Sequence, residues 1–168
     1  GAAALYTKEF FQMEKDHLKP GGVATQFVQF YESNAEAVKS EIATFFTVFR
    51  NGVVWGNTFD GQANDLVLMG SVEPLELNLD WMEWGFKRPE YAAVRRSLGE
   101  INIRSMTELL GNYGGRAADL APWLADAAIN RDRDLRLQYL AGLGLNVHVG
   151  RSIYGEMLQY RRFPLDLF

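Results

Sequence analysis

Val23-Ala24-Thr25-Gln26-Phe27-Val28-Gln29-Phe30 is the stretch on which the fold turns. It is short, largely apolar and rich in residues that suit pleated backbone. It therefore reads as a strand covered on both faces, as in a parallel sheet, with two glutamines interrupting the apolar run. Immediately ahead of it stands Lys19-Pro20-Gly21-Gly22, where a cation near the last turn, a proline and a glycine pair punctuate a helix C-terminus. Further back, Tyr6, Phe10, Met13 and His17 fall at i, i+4, i+7 and i+11 and share one helical face.

Downstream, Ser33-Asn34-Ala35-Glu36 has the spacing of a capping box, with Ser33 as the cap. Val38, Ile42, Phe45, Phe46 and Phe49 then form the apolar stripe of an amphipathic helix that ends at Asn51-Gly52. Val53-Val54-Trp55 reads as a strand, Phe59-Asp60-Gly61-Gln62 as a turn, and Leu66-Val67-Leu68-Met69 as a second strand closing on Gly70-Ser71. So short a link makes the pair antiparallel. The order predicts an α/β fold with a buried strand, a helix and an antiparallel edge hairpin over residues 1–72.

Residues 73–168 read as a mainly α-helical C-terminal region without strands. Helical stretches are predicted at 89–98, at 105–110 behind an S-x-x-E box from Ser105 to Glu108, at 117–128 interrupted by Pro122, and at 152–161. Gly111, Gly114, Gly115, Gly142 and Gly144 punctuate it, but none follows a predicted strand as a phosphate-binding loop must.

Composition narrows the function classes. The 168 residues are 48% hydrophobic and 23% charged, ample for one core, and the net charge of -4 gives no basic excess for nucleic acid. Cysteine is absent, which excludes thiolate metal sites and cysteine nucleophiles, and with His17 and His148 as the histidines no metal cluster is expected. No run approaches the roughly 18 apolar residues of a spanning helix. A soluble, cytoplasmic protein is expected. The start, Gly1-Ala2-Ala3-Ala4, runs straight into a helical pattern without an initiator Met or a preceding strand, and reads as a cut.

Several of these segments resemble the spermidine synthase (aminopropyltransferase) family and its longer bacterial relatives. Leu5-Tyr6-Thr7-Lys8-Glu9-Phe10-Phe11 is similar to the family's helix after the catalytic loop, and Leu18-Lys19-Pro20-Gly21-Gly22-Val23 resembles the turn into its fifth strand. The match continues through Gln26 to Glu32, and Asp65-Leu66-Val67-Leu68-Met69-Gly70-Ser71 resembles the sheet's final strand. Asn130-Arg131-Asp132-Arg133 with Leu137-Gln138-Tyr139-Leu140 is similar to the family's late T-D-D-R-P and L-E-Y-L segment. It departs in its split aspartates and in Leu135, near where proline is expected.

The resemblance implies the C-terminal half of a Rossmann-like methyltransferase sheet. It implies a complete parent that transfers an aminopropyl group from decarboxylated S-adenosylmethionine to a polyamine such as putrescine, without a metal. The family's Gly-rich loop, ribose-binding acid and D-x-x-D-P segment do not occur here, so the chain alone is expected to be inactive and to need an N-terminal half or another subunit. A homo-oligomer is expected. The alternatives are a non-catalytic binding or scaffold module and a part of an S-adenosylmethionine-dependent methyltransferase, since one fold hosts many chemistries.

No catalytic residue is assigned. Gln26 corresponds to a family glutamine near the polyamine site, Gln29 is its rival by a one-residue shift, and Tyr31 and Glu32 follow at the same strand mouth. Gln26 reads equally as an amide that pairs with local backbone. Phe59 stands where the family offers an aromatic to the substrate, and Asp60 reads as a turn residue. Trp81 and Trp84 are expected to pack in a core or interface, and the run Arg131, Asp132, Arg133, Asp134, Arg136 to be solvated and paired within itself.

Overall fold

A computed structural model describes residues 2–59, 62–143, 150–165 and 167–168. A 3-10 turn over Ala2–Tyr6 leads to Thr7, whose hydroxyl accepts from the Phe10 amide and caps α1 (Lys8–His17). Tyr6 thus belongs to the turn ahead of the helix and not to the helix itself. Phe11 is fully buried while Met13 and His17 are exposed, so the face predicted through Met13 and His17 is corrected to one centred on Phe11. After Gly21, at a left-handed φ of 72°, the chain enters β1 (Val23–Gln29).

α2 (Ala35–Val48) buries Val38, Ile42, Phe45 and Phe46, with Phe49 just beyond, as its stripe demands. Its cap is Asn34, not Ser33. The Asn34 carbonyl accepts from the Ala37 amide at 2.9 Å while its NH₂ donates to the Leu140 carbonyl at 2.8 Å, a double reach that a serine hydroxyl cannot span. β2 (Val53–Phe59) and β3 (Gln62–Ser71) form the predicted antiparallel hairpin; Asp60 and Gly61 in its turn lie outside the described residues.

The remaining elements are α3 (Leu79–Lys87), α4 (Ala92–Glu100), α5 (Met106–Leu110), β4 (Tyr113–Arg116), α6 (Ala117–Leu120), α7 (Arg136–Leu143) and α8 (Gly150–Leu158). The box at Ser105 is realised in full: its hydroxyl accepts from the Glu108 amide at 3.1 Å, and the Glu108 carboxylate accepts from the Ser105 amide at 3.2 Å. The helix expected over 117–128 stops after Leu120, and turns carry the chain past Pro122.

The fold is mixed α/β around a four-stranded sheet of order β1-β3-β2-β4, every neighbouring pair antiparallel. β1 and β2 consequently run parallel to each other. They are joined by α2, and β3 returns between them. β4 corrects the reading of residues 73–168 as free of strands. Tyr-Gly-Gly-Arg carries no strand pattern, yet its glycines permit close packing: a Cβ on Gly114 would lie 3.2 Å from both Val54 and Met157.

Strand alternation divides the sheet into two faces. Ala24, Gln26 and Val28 of β1, Leu66 and Leu68 of β3 and Val54 of β2 point to the inner face, where α1, α2 and α8 cover them. Phe45 is the hub there, edge-on to Phe11 at 5.1 Å and stacked on Phe49 at 4.7 Å. Leu120, Trp123, Ile153 and Met157 join the same core, so residues on both sides of position 72 share it.

On the outer face stand Thr25, Phe27 and Gln29, then Met69, Val67 and Asp65, then Val53, Trp55 and Asn57. This arrangement corrects the reading of 23–30 as covered on both faces. Among the described residues β1 pairs with β3 alone, and Phe27 is 43% exposed. The alternation was hidden because Val23 and Phe27 face outward although apolar, while Gln26 faces inward although polar.

Candidate functional site

β1 separates the two glutamines that sequence spacing leaves as rivals. Gln26 points to the inner face and Gln29 to the outer, because adjacent parities of a strand face opposite ways. Gln26 gathers neighbours at the open edge of β1. The Tyr6 hydroxyl donates to the outward Phe27 carbonyl at 2.7 Å, and the Gln26 side chain sits against the same phenol. Burial pushes the Tyr6 phenol up, Gln26 partly offsets this, and Tyr31 and the carboxyl of Glu41 oppose its ionisation from close by.

Glu41 comes from the middle of α2. Its Oε2 is buried without a hydrogen-bond partner, and burial pushes the carboxyl up to about 8. On α1, Glu14 has the same kind of unpartnered buried Oε2 and is also pushed up by burial. The edge thus collects two phenols, an amide and a carboxyl held largely neutral near pH 7. These groups can accept hydrogen bonds from an ammonium ion, whose charge would draw Glu41 back toward its ionised form. Tyr31 is 53% exposed and Glu32 adopts a left-handed φ of 51°, which turns the chain away after β1.

Gln29 belongs to a different place. In register it is followed across the sheet by Asp65 and Asn57, a polar row, and the adjacent row is Phe27, Val67, Trp55 and Tyr113. Phe27, Val67, Trp55, Asn57 and Asp65 of these rows floor a cleft of about 540 Å³, with Gln29 beyond its lining, and the other wall is Leu98, Ile101, Ile103, Leu109 and Leu110 from α4, α5 and their link. At its polar end Asn57 donates to Asp65 at 3.3 Å, and the Thr58 hydroxyl donates to the Asn112 side-chain oxygen Oδ1 at 2.6 Å. Trp55 contributes a buried indole Nε1–H that lacks a partner.

The backbone of Phe59 pairs with Gln62 at the hairpin end, but its side chain lies outside the described residues, as do Asp60 and His148. Trp81 and Trp84 do not pack in the core, which corrects the core half of their reading: they are 66% and 57% exposed, with the Arg88 guanidinium 4.8 Å from the Trp84 ring. Helical spacing put them on one face without saying that the face is outward. The His17 Nδ1 lies 2.7 Å from the Met13 carbonyl of its own helix.

The charged run near residue 131 reaches outward as well as inward, which corrects its reading as self-paired. The Asp134 carboxylate accepts from the Arg131 amide, but Arg131 pairs with Glu9 at 3.5 Å and Arg136 with Glu36 at 2.6 Å. Beside it, fully buried Asn130 is a structural hub that sequence reasoning missed. Its amide NH₂ donates to the Ala3 and Tyr6 carbonyls, its backbone donates to Thr44, and its side-chain carbonyl accepts from the Leu137 amide. The position of Tyr6 therefore depends on Asn130.

Among the described residues no group of His, Asp or Glu is placed to hold a metal, and no helix is long and apolar enough to cross a membrane. Compared with known proteins, the chain matches no family model, no curated protein and no solved structure.

Proposed function

We propose that this chain is the C-terminal portion of a spermidine-synthase-like aminopropyltransferase with a Rossmann-like sheet, completed by an N-terminal half that adds strands at the open edge of β1. The observation that carries this reading is the strand arrangement. Parallel β1 and β2 flank α2, a strand–helix–strand crossover, and the free edge of β1 carries Gln26, the residue matching the family's polyamine-site glutamine. An edge strand with apolar outward residues calls for a covering partner.

In the completed protein the nitrogen of a polyamine such as putrescine attacks the aminopropyl carbon of decarboxylated S-adenosylmethionine. The carbon–sulfur bond breaks, its electrons return to the sulfonium sulfur to leave a neutral thioether, and the amine gives up a proton to a carboxylate. The nucleoside-binding groups and the catalytic acid belong to the other half. Gln26, with Tyr6 and Tyr31, orients the amine; Glu41 supplies negative charge to hold it once the ammonium is present.

The test is to express this chain joined to the segment encoded ahead of it and to measure consumption of decarboxylated S-adenosylmethionine with putrescine. Turnover is expected, with Gln26→Ala lowering kcat/KM about tenfold, mainly through KM. A folded joined protein that neither binds the nucleoside nor turns over would end this proposal.

A further inference from the structure

The outer-face cleft is separate from the edge cluster, and nothing in the proposed transfer reaction uses it. We infer that it is a binding site for a small amphipathic amine, an apolar or aromatic body carrying one ammonium group, with Asp65 as the counter-ion.

Three observations lead there. The first is shape: a cleft of about 540 Å³ falls in the range of small-molecule sites, and a two-layer arrangement of sheet and short helices leaves it open toward Phe27. The second is lining. Apart from Asn57, Asp65 and Asn112, its side chains are apolar, with the rings of Phe27 and Trp55 on the floor in one row across the strands.

The third is charge. Asp65 is half-buried and, among the described residues, is the one charged residue on the lining. Among the described residues no Lys, Arg or His pairs with it; it accepts from the neutral amide of Asn57 at 3.3 Å. A carboxylate at the end of an apolar slot attracts a cation and repels an anion, and partial burial weakens solvent screening of that preference. The aromatic floor adds a face that favours a cation. A fatty acid would suit the walls but meet repulsion from Asp65, a phosphate would fail on both counts, and a sugar would leave the apolar walls unmatched.

The site can be tested on the 168-residue chain itself, independently of any partner half. Three probes of one shape are titrated by NMR: 4-phenylbutylamine, 4-phenylbutanol and 4-phenylbutyrate. The amine should bind one to one with a Kd of about 0.1–1 mM, shifting the Trp55 indole and Asn57 side-chain resonances. The alcohol should bind about tenfold more weakly and the carboxylate more weakly still. Asp65→Asn keeps the shape and should bring amine and alcohol to equal affinity. Equal binding of amine and alcohol to the unsubstituted chain, shifts confined to other residues, or no saturable binding would each overturn the assignment. So would an unchanged amine preference in folded Asp65→Asn. The comparison of the three probes decides the matter even if that variant does not fold.

Discussion

The two faces of one sheet are built on opposite plans. Inside, phenylalanines from α1 and from α2 with its C-cap interlock around Phe45, and Gly70 is required because a Cβ there would run into the Phe49 ring. Outside, the same strands present Phe27, Val67, Trp55 and Met69 to a layer of short helices that leaves a cleft. The lesson is that the inner face carries the stability and the outer face the room for a ligand. Polar groups follow the same division: on the inner side they either join a saturated hub, as Asn130 does, or stay costly, as Glu41 does.

Substitutions that act on one face should sharpen this contrast. The largest effect is expected for Asn130→Ala, which strips partners from buried backbone groups that tie the N-terminal turn to α7. Urea denaturation should show a loss of about 3 kcal/mol. A loss under ~1 kcal/mol would mean that the hub is not a hub.

Glu41→Gln should do the reverse, and only at high pH. The folded carboxyl is pushed up to about 8 by burial, above its unfolded value, so the fold favours the neutral acid. Its stabilising share is fully present below the unfolded pKa and is lost as pH rises through the folded one. Glutamine removes that loss. The variant should match the parent near pH 4 and exceed it by about 2 kcal/mol near pH 8.5, the full shift being discounted because part of the side chain meets solvent. A constant difference across that pH range would contradict the assignment of burial as the cause.

The smallest effect belongs to the outer layer. Ser105→Ala removes one arm of the capping box and should cost about 1 kcal/mol. Hydrogen exchange should quicken in α5 and leave α2 unchanged. Equal quickening in both would argue that the two faces are not independent layers.

Much of the inner face was legible in the sequence because it obeys one period. The stripe Val38, Ile42, Phe45, Phe46, Phe49 and the hairpin strands emerge where spacing puts them. What was hidden is what needs partners far along the chain. Val23–Phe30 looked covered on both faces because Val23 and Phe27 are apolar yet outward while Gln26 is polar yet inward, and β4 was invisible because tight packing selects glycine over strand-forming residues. The site was half visible: Gln26 and Tyr31 meet at one edge, but Glu41 reads as an ordinary solvated helix residue until its burial is known. Asp65 likewise gains meaning only from the strand register that sets it beside Gln29 and Asn57.

The account depends most on the open edge of β1. The Phe27 carbonyl points away from β3 toward Tyr6, so alternation directs the backbone groups of Thr25, Phe27 and Gln29 to that edge. The direct measurement is amide exchange at Thr25, Phe27 and Gln29, in this chain and in the chain joined to its N-terminal half. Slowing by at least about a hundredfold on joining is the predicted result, as for amides newly placed in a central strand. Exchange at the same rate in both would contradict it.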